Sequence, residues 1–457
     1  MESMWAAATA QPDYYSTSDA AASQLHAQLP AHLPTGGGST SSSSGGGGGG
    51  LPSLAPLYPL PSTPMPNFDM PLQGGGMRMN VGGMMMGEVE AESRGGAVAQ
   101  FRPREVIPLF DIALGASAPI IPALSRPAFA RDGSGRFLCG TEEQHPQRSK
   151  SNYLIFGRMD PNTGKLMTRN GSPDVWTQPI SNHVRDIQWV DEQLMIVAIA
   201  STLILMRLPQ HTRADLATIN FPPFHKDFIR EIAVSPAKRN LLLSGGFDGS
   251  VFVTDISRLC EDITTDQQHS ENSIYPCGEV VGSVGWHPTN PWLASCTTDP
   301  GTLHIFDIRT DSGGVNAASD RARQSLLYNT TKPELYTHAY CDEYTILLGY
   351  GDGQIHTFDT RMQRTTQVFQ DPYQRQIGEI KVDGGGVFAT FGVPEVTLWK
   401  VGESRSFQVW GHNNMCPPQL PNNMSYKTSG EFLSHSSALA VTDSNGLLSY
   451  YQIPPVL

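Results

Sequence analysis

The feature that most constrains this 457-residue chain is a repeated segment that ends in aspartate. Residues 240–256 contain a short apolar run, a Gly-Gly-Phe-Asp-Gly turn, and a run of β-branched and aromatic residues that closes on Asp255. The same order returns before Asp307 and Asp359, so the aspartates lie 52 residues apart (307 − 255 and 359 − 307). Asp-Gly pairs tolerate the positive φ of tight hairpins. The repeat therefore predicts similar antiparallel β units.

Each unit also has a strand before the apolar run. Residues 229–236 and 281–288 are strand-like and end in a proline turn. A fixed period of this size with this core is typical of a propeller blade, a small sheet that buries its faces only against its neighbours. We therefore predict an all-β, seven-bladed propeller over residues 105–457. Its second strands are expected near 137–141, 194–200, 241–244, 293–297, 345–353, 387–391 and 438–442.

These repeats resemble the WD40-repeat family, in which a histidine, a serine, a turn aspartate and a tryptophan form a buried hydrogen-bond relay in each blade. No blade here carries the full set, because Thr254, Phe306 and Phe358 stand at the tryptophan position. The resemblance thus implies an incomplete relay, with stability resting mainly on apolar packing between blades. The matching positions, which we interpret as structural, are His225, Ser244, Asp248, Asp255, Asp299, Asp307, Asp352, Asp359, Trp399 and His412.

Closure of the ring is also implied by the resemblance. In WD40-like propellers an N-terminal strand commonly completes the last blade, and residues 106–113 are the candidate for it. Pro108 fits an outer, edge position, where its missing N–H costs little.

Residues 1–104 differ in composition from the rest. Residues 36–50 contain only Gly, Ser and Thr, and residues 51–71 are rich in proline. Such segments cannot bury enough apolar surface to offset their conformational entropy, so we predict a disordered tail. One alternative is a low-complexity tail without specific contacts. The other is a linear docking motif in its apolar residues, among them Leu54, Leu57, Tyr58 and Leu60, or in its methionines.

Composition narrows the partners and the compartment. The formal charge of −12, without a basic cluster, disfavours direct nucleic-acid binding. No run approaches a membrane span and no signal peptide is recognised, so we expect an intracellular protein of the cytoplasm, the nucleus or both. The six cysteines form no CxxC pair, which indicates neither a zinc site nor a disulfide framework and favours buried, reduced thiols.

Catalytic motifs were not recognised. The sequence contains no HExxH, GxSxG or Walker A motif, and its thirteen histidines show no metal-ligand spacing. We therefore expect no catalytic residue, no cofactor and no metal. An enzyme that uses the central channel remains an alternative, since propellers can host one there.

Two arginines indicate a possible partner. Arg309 and Arg361 end consecutive blades in the pattern aromatic-Asp-x-Arg, which resembles the WDxR element of substrate receptors of cullin-4 ubiquitin ligases. The alternative is that each arginine simply pairs with a neighbouring acid. A further resemblance, through Trp286-His287-Pro288, is to the WD-repeat subunit of the arginine-methyltransferase complex.

The function predicted from the sequence is a non-enzymatic scaffold or adaptor. A propeller rim suits this role because its loops can vary without disturbing the strands. We expect other proteins as partners and a propeller that is monomeric within a larger complex. The polar insertions at 260–276, 312–324 and 415–427 are candidate binding or regulatory loops.

Overall fold

A computed structural model describes most of the chain after residue 99. Residues 1–99 and 102 of the predicted tail, the insertions at 312–324 and 415–427, and His412 lie outside the described residues. The described residues are 100–101, 103–115, 123–142, 152–208, 216–265, 273–309, 326–330, 332, 334–371, 374–392, 396–403, 406–409, 428–433 and 436–453.

Seven antiparallel sheets form a seven-bladed propeller, as predicted. Apart from the N-terminal strands that join blades six and seven, the strands of each blade follow chain order outward, and the first strands of neighbouring blades pack around the axis. Blade one comprises Ala123–Leu124, Ala128–Phe129, Arg136–Glu142, Asn152–Arg158 and Val175–Ile180, and a small hairpin, Thr168–Arg169 with Ser172–Pro173, precedes its last strand. Blade two comprises Val184–Trp189, Leu194–Ile199, Thr202–Arg207 and Ala217–Asn220, and blade three Ile229–Val234, Leu241–Gly246, Ser250–Asp255 and Ser273–Pro276.

The remaining blades follow the same plan. Blade four comprises Val281–Trp286, Leu293–Thr298, Thr302–Asp307 and Leu326–Asn329, and blade five Leu335–Tyr340, Thr345–Tyr350, Gln354–Asp359 and Arg364–Gln370. Blade six comprises Ile377–Val382, Val387–Gly392, Val396–Lys400 and Ser406–Val409, and blade seven Thr428–Leu433, Ala438–Asp443 and Leu448–Gln452 with an N-terminal strand.

The hydrophobic cores lie between blades. Every residue of Leu194–Ile199 is buried, as expected of an apolar run enclosed on both faces. Ile196 of blade two packs in one cluster with Ile232 and Leu242 of blade three. Burial of such side chains contributes roughly 1.5–3 kcal/mol each. Each blade thus depends on the next for its core.

A β-bulge recurs in the first strands of blades two to six. In each, the pairing with the second strand shifts after the first residue, which leaves the second residue outside the regular ladder. Bulges of this kind change the direction of a side chain and increase the local twist. The bulge residues are Arg185, Arg230, Gly282, Tyr336 and Gly378.

The ring is closed by a shorter strand than the sequence predicts. Glu105–Ile107 pairs antiparallel with Leu448–Gln452 and completes blade seven. The prediction of a strand over 106–113 was wrong beyond residue 107, because Leu109–Leu114 forms a helix that buries Leu109 and Phe110. Pro108 precedes this helix, where its fixed φ suits a helical start. Just upstream, Gln100–Phe101 adds a parallel strand to the outer strand of blade six.

Parts of the insertion at 260–276, which the sequence indicates to be a polar loop, form regular elements. Ile256–Thr265 is a helix, and Ser273–Pro276 is the outer strand of blade three. Asp255 Oδ1 accepts hydrogen bonds from the backbone N–H groups of Ser257 at 2.9 Å and Arg258 at 3.2 Å, which caps the helix. Cys260, at the start of this insertion, is buried against the core between blades two and three, as the sequence favours for its cysteines.

Candidate functional site

Blade three forms most of the relay that the sequence indicated to be incomplete. His225 Nδ1 lies 3.1 Å from Asp248 Oδ1, and its Nε2 lies 2.9 Å from Ser244 Oγ. Burial lowers the pKa of His225, and hydrogen bonding and charge from Asp248 oppose that shift. The relay lacks its fourth member, because Thr254 stands where the tryptophan would be and its buried hydroxyl has no hydrogen-bond partner within the described part of the chain.

The other relay positions hold fragments of the same pattern. In blade six Trp399 Nε1 donates to Thr390 Oγ1 at 3.0 Å, which is the half that blade three lacks. Asp299 pairs with Arg230 at 3.2 Å, and Asp352 pairs with Lys332 at 2.5 Å. These contacts belong to turns and blade junctions, and the structural role of the relay positions stays a prediction.

A second histidine network, which the sequence did not indicate, joins blades four and five. His338 Nδ1 lies 2.5 Å from Ser283 Oγ, and its Nε2 lies 2.7 Å from Ser295 Oγ. Ser283 Oγ also lies 2.9 Å from Thr297 Oγ1 and accepts the backbone N–H of His338 at 3.0 Å. Burial lowers the pKa of His338 to about 3, so its ring is neutral at physiological pH. The network thus links two blades through hydrogen bonds at both ring nitrogens of His338.

The channel contains an ionic network centred on Arg126, which the sequence analysis also missed. Its guanidinium lies 2.5 Å from Asp186 of blade two and 3.1 Å from Glu379 of blade six, so it links blades on opposite sides of blade one. Lys381 lies 3.1 Å from Glu379 and 3.6 Å from Glu231. An available signal was the acid directly after the bulge in three first strands, at Asp186, Glu231 and Glu379.

The residues after three of the bulges also join a blade to the next one. Asp186 accepts the N–H of Ile232 at 2.9 Å, and Glu231 accepts the N–H of Val284 at 3.1 Å. Ser283 makes the equivalent contact to blade five. A first strand has one unpaired edge at the channel, so its backbone donors need such acceptors. These contacts satisfy that edge while connecting consecutive blades.

The pKa values of two channel carboxylates are shifted in opposite directions. Burial raises the pKa of Asp186 to about 6, although the charge of Arg126 opposes this. Burial also acts to raise the pKa of Glu379, but Lys381, Arg126 and a hydrogen bond from Ser429 lower it to about 2. Titratable groups therefore converge in the channel, as a catalytic site would require. Each of these carboxylates already has a cationic partner and a hydrogen-bond donor.

Residues of this network line a cavity of about 330 Å³. Its lining also includes the bulge glycines of blades four and six, Gly282 and Gly378, and Phe391 and Ser429. Among the described residues, no group of three or more His, Cys, Asp or Glu side chains is arranged to hold a metal ion.

The mouth of this cavity carries a stack of alternating arginine and aromatic side chains. Arg185 lies 5.3 Å from the ring centre of Phe228 and 5.6 Å from that of Phe247. Arg230 lies 5.7 Å from Phe247 and 5.5 Å from Tyr336. Phe228 and Phe247 are 41 % and 37 % exposed. We call these five residues the mouth surface.

The predicted partner-binding arginines lie in the turns after two third strands. Arg309 pairs with Asp307 at 2.5 Å and Arg361 with Asp359 at 3.0 Å. Arg361 also stacks on Tyr344 at 4.3 Å. The two arginine side chains remain 57 % and 60 % exposed. Pairing with a neighbouring acid thus coexists with an exposed guanidinium, and a role in partner binding stays a prediction. We call Arg309 and Arg361 the rim arginines.

The Trp-His-Pro motif has a structural explanation. Trp286 is buried and donates from Nε1 to the carbonyl of Ala233 in blade three at 2.8 Å. His287 Nε2 lies 2.9 Å from the carbonyl oxygen of Glu343 in the next blade. These side chains connect blades and do not form an exposed binding motif. No helix in the described part of the chain is long and apolar enough to cross a membrane.

Comparisons with known proteins agree with this architecture. The family profile for the WD domain, G-beta repeat, matches residues 269–307. That segment runs from the outer strand of blade three through the third strand of blade four.

Two curated relatives align with part of the chain. Dynein axonemal assembly factor 10 of Chlamydomonas reinhardtii is 27 % identical over 143 residues, 29 % of this chain and 36 % of the relative. Histone acetyltransferase type B subunit 2 of Debaryomyces hansenii is 26 % identical over 157 residues, 34 % of each. The chain spans about a third of the length of these relatives. The seven blades, the partial relays and the matched repeat together show a WD40-type β-propeller, and the profile match itself covers one repeat.

Proposed function

We propose that this protein is a non-enzymatic scaffold that holds partner proteins on its mouth surface. The observation that carries the proposal is the exposed arginine–aromatic stack over blades two, three and five. Arginine and aromatic residues dominate the binding energy of protein interfaces. A stack that is already assembled loses little side-chain entropy when a partner binds.

The position of the mouth surface supports the same function. Arg185, Arg230 and Tyr336 are bulge residues of first strands, so a rigid part of the ring directs them to one opening. Phe247 lies in the Asp-Gly turn of blade three, next to the relay aspartate Asp248. The relay and the bulges therefore fix the backbone that carries the side chains of the mouth surface. A binding site on such rigid elements is better defined than one on loops.

The lack of catalysis is part of the proposal. The channel acids and bases form ion pairs and interblade hydrogen bonds, which gives them a structural role. The names of the two relatives, an assembly factor and a subunit of a larger enzyme, are consistent with work inside protein assemblies.

The test is affinity capture with quantitative mass spectrometry, using the full chain in cells of its own organism. Phe228→Ser with Phe247→Ser alters the mouth surface at two exposed positions, so the ring should still fold. Arg309→Ala with Arg361→Ala is the matched control on the rim. We expect the mouth variant to lose partners that the rim variant retains. Partners that are identical for the wild type and the mouth variant would contradict the proposal.

A second candidate function is a substrate receptor of a cullin-4 ubiquitin ligase. The observation that favours it is the exposure of both rim arginines in equivalent turns of adjacent blades. The same capture experiment tests it. Recovery of the cullin-4 adaptor with the wild type and its loss with the rim variant would support this function, and its absence from both would remove it.

A further inference from the structure

Two cysteine thiols touch at the junction of blades three and four. Cys277 Sγ lies 3.5 Å from Cys296 Sγ. Cys277 directly follows the outer strand of blade three, and Cys296 lies in the second strand of blade four. Among the described hydrogen bonds, Cys139 and Cys341 have no contact with another cysteine. The Cys277–Cys296 pair is therefore a place in the described structure where two thiols can react with each other.

We propose that Cys277 and Cys296 form an oxidation site that closes to an intramolecular disulfide when a small-molecule disulfide, such as oxidised glutathione, is present. The proposal concerns a covalent modification and does not rest on the scaffold function. It also departs from the sequence-based expectation that all thiols are inert and reduced.

The local structure permits the short approach that this bond needs. A disulfide brings its sulfurs to about 2.05 Å, so they must move closer by roughly 1.5 Å. Cys296 is fixed in a fully buried strand. Cys277 lies after its strand, and the next residue, Gly278, has φ 77° and no atom within 4 Å of a Cβ position. The backbone N–H groups of Cys277 and Gly278 are held by Gly249 O at 2.8 Å and 3.3 Å, so rotation of the Cys277 side chain supplies the movement while the strand of Cys296 stays in place.

The difference in burial indicates which of the two thiols reacts first with the dissolved disulfide. Cys277 is half-buried and can meet a dissolved disulfide, whereas Cys296 is fully buried. A hydrogen bond from Cys277 and burial both raise the pKa of Cys296, so its thiol is a poor first nucleophile. Cys277 is therefore the attacking cysteine and Cys296 the resolving one.

The two exchange steps balance. The Cys277 thiolate attacks one sulfur of oxidised glutathione, breaks its S–S bond and releases one glutathione thiolate, which takes up a proton. The Cys296 thiolate then attacks Cys277 Sγ in the mixed disulfide, forms the Cys277–Cys296 bond and releases the second glutathione. Two protein thiols are oxidised, and one glutathione disulfide is reduced to two thiols.

The bond would fasten a blade junction. It closes a loop over 19 positions that contains the first strand of blade four, with Ser283 and Trp286. Constraining such a loop in the unfolded chain raises the stability of the folded state. The oxidised protein is therefore expected to melt at a higher temperature than the reduced protein.

Peptide mapping of the full chain tests the site directly. The reduced protein is equilibrated in glutathione buffers of increasing oxidised fraction, quenched in acid, alkylated and digested without reduction. Trypsin is unsuitable, because no Lys or Arg lies between Cys277 and Cys296. Cleavage after Glu271 and Glu279 places Cys277 on its own peptide, 272–279. The expected product is this peptide joined to the one that carries Cys296.

Three variants define the result. Cys296→Ala should leave Cys277 as a stable glutathione adduct, because the resolving thiol is gone. Cys277→Ser should leave Cys296 reduced, and Cys341→Ser, which changes an isolated half-buried thiol, should still form the bond. The proposal is overturned if the wild type keeps both thiols reduced, stops at a glutathione adduct, or links either cysteine elsewhere.

Discussion

The channel and the rim arginines use the same residue types in different ways. Around the channel, Arg126 contacts carboxylates that lie 60 and 253 residues away in the sequence. At the rim, Arg309 and Arg361 each contact an aspartate two residues before them. Channel charges are buried and join blades, whereas rim charges are exposed and belong to one turn. Only the first kind of contact depends on the ring being assembled.

The largest expected difference comes from removing one cation at each place. Arg126→Met leaves Asp186 and Glu379 buried without their central partner, which should lower the free energy of unfolding by about 3–5 kcal/mol. Arg309→Met leaves its partner Asp307 in contact with water. This variant should therefore leave the midpoint of urea unfolding unchanged. Equal midpoints for the two variants would show that the channel network does not hold the blades together.

The next effect is a pH dependence that the buried His338 contributes. The unfolded chain takes up a proton near pH 6.5, but the folded ring does so only at about 3. The unfolded state thus binds more protons between these values, and stability falls as the pH decreases through this window. At pH 5 the loss is about 2 kcal/mol.

This loss is measured as the change in unfolding free energy between pH 7 and pH 5 for the wild type and for His338→Gln. Asp186, whose pKa is raised by burial, acts in the opposite direction in both proteins and cancels in the comparison. The variant should show the smaller decrease. A decrease of the same size in both would mean that the histidine is not kept neutral by the ring.

A further difference in stability is expected between alanine substitutions at two bulge glycines that line the cavity. A Cβ at Gly282 would lie 2.8 Å from the carbonyl oxygen of Tyr336, and Gly282→Ala should cost about 1–3 kcal/mol through this overpacking. A Cβ at Gly378 meets nothing closer than Phe391 O at 3.5 Å, so Gly378→Ala should be tolerated. Thermal melting of both variants checks this order. If Gly378→Ala melted at a lower temperature than Gly282→Ala, the close contact between blades four and five at Gly282 would not be the limiting one.

The smallest effect concerns an arginine of the mouth surface. Arg230→Ala removes an ion pair with Asp299 of blade four, an aromatic contact with Tyr336 of blade five and one with Phe247 of its own blade, worth about 1 kcal/mol together. Arg361→Ala, the rim equivalent, should leave the melting temperature unchanged. If both variants melt alike, the arginine–aromatic stack adds nothing to the cohesion of the blades.

Local patterns predicted the blades well. The spacing of Asp255, Asp307 and Asp359 and the Asp-Gly turns identify strands whose partners are adjacent in sequence, so short-range rules suffice. The relay of blade three was judged incomplete by its missing tryptophan, yet His225, Ser244 and Asp248 bond without it. Their geometry depends on the blade and not on the fourth residue.

Contacts between distant blades were not predictable in this way. Nothing near Arg126 in the sequence indicates that Glu379 will face it, because that meeting depends on how many blades close the ring. The helix Leu109–Leu114 was also missed, since its apolar residues fit a strand equally well in a short window. The mouth surface was missed because it too depends on how the ring closes. Its stack contains bulge residues of three separate blades.

The pairing of Glu105–Ile107 with Leu448–Gln452 has a consequence for biosynthesis. A ribosome makes the first of these segments more than three hundred residues before the second. During that interval the early segment has no partner, and blade one lacks its neighbour on that side. The emerging chain must therefore wait, exposed to chaperones and proteases, until Leu448–Gln452 has been made.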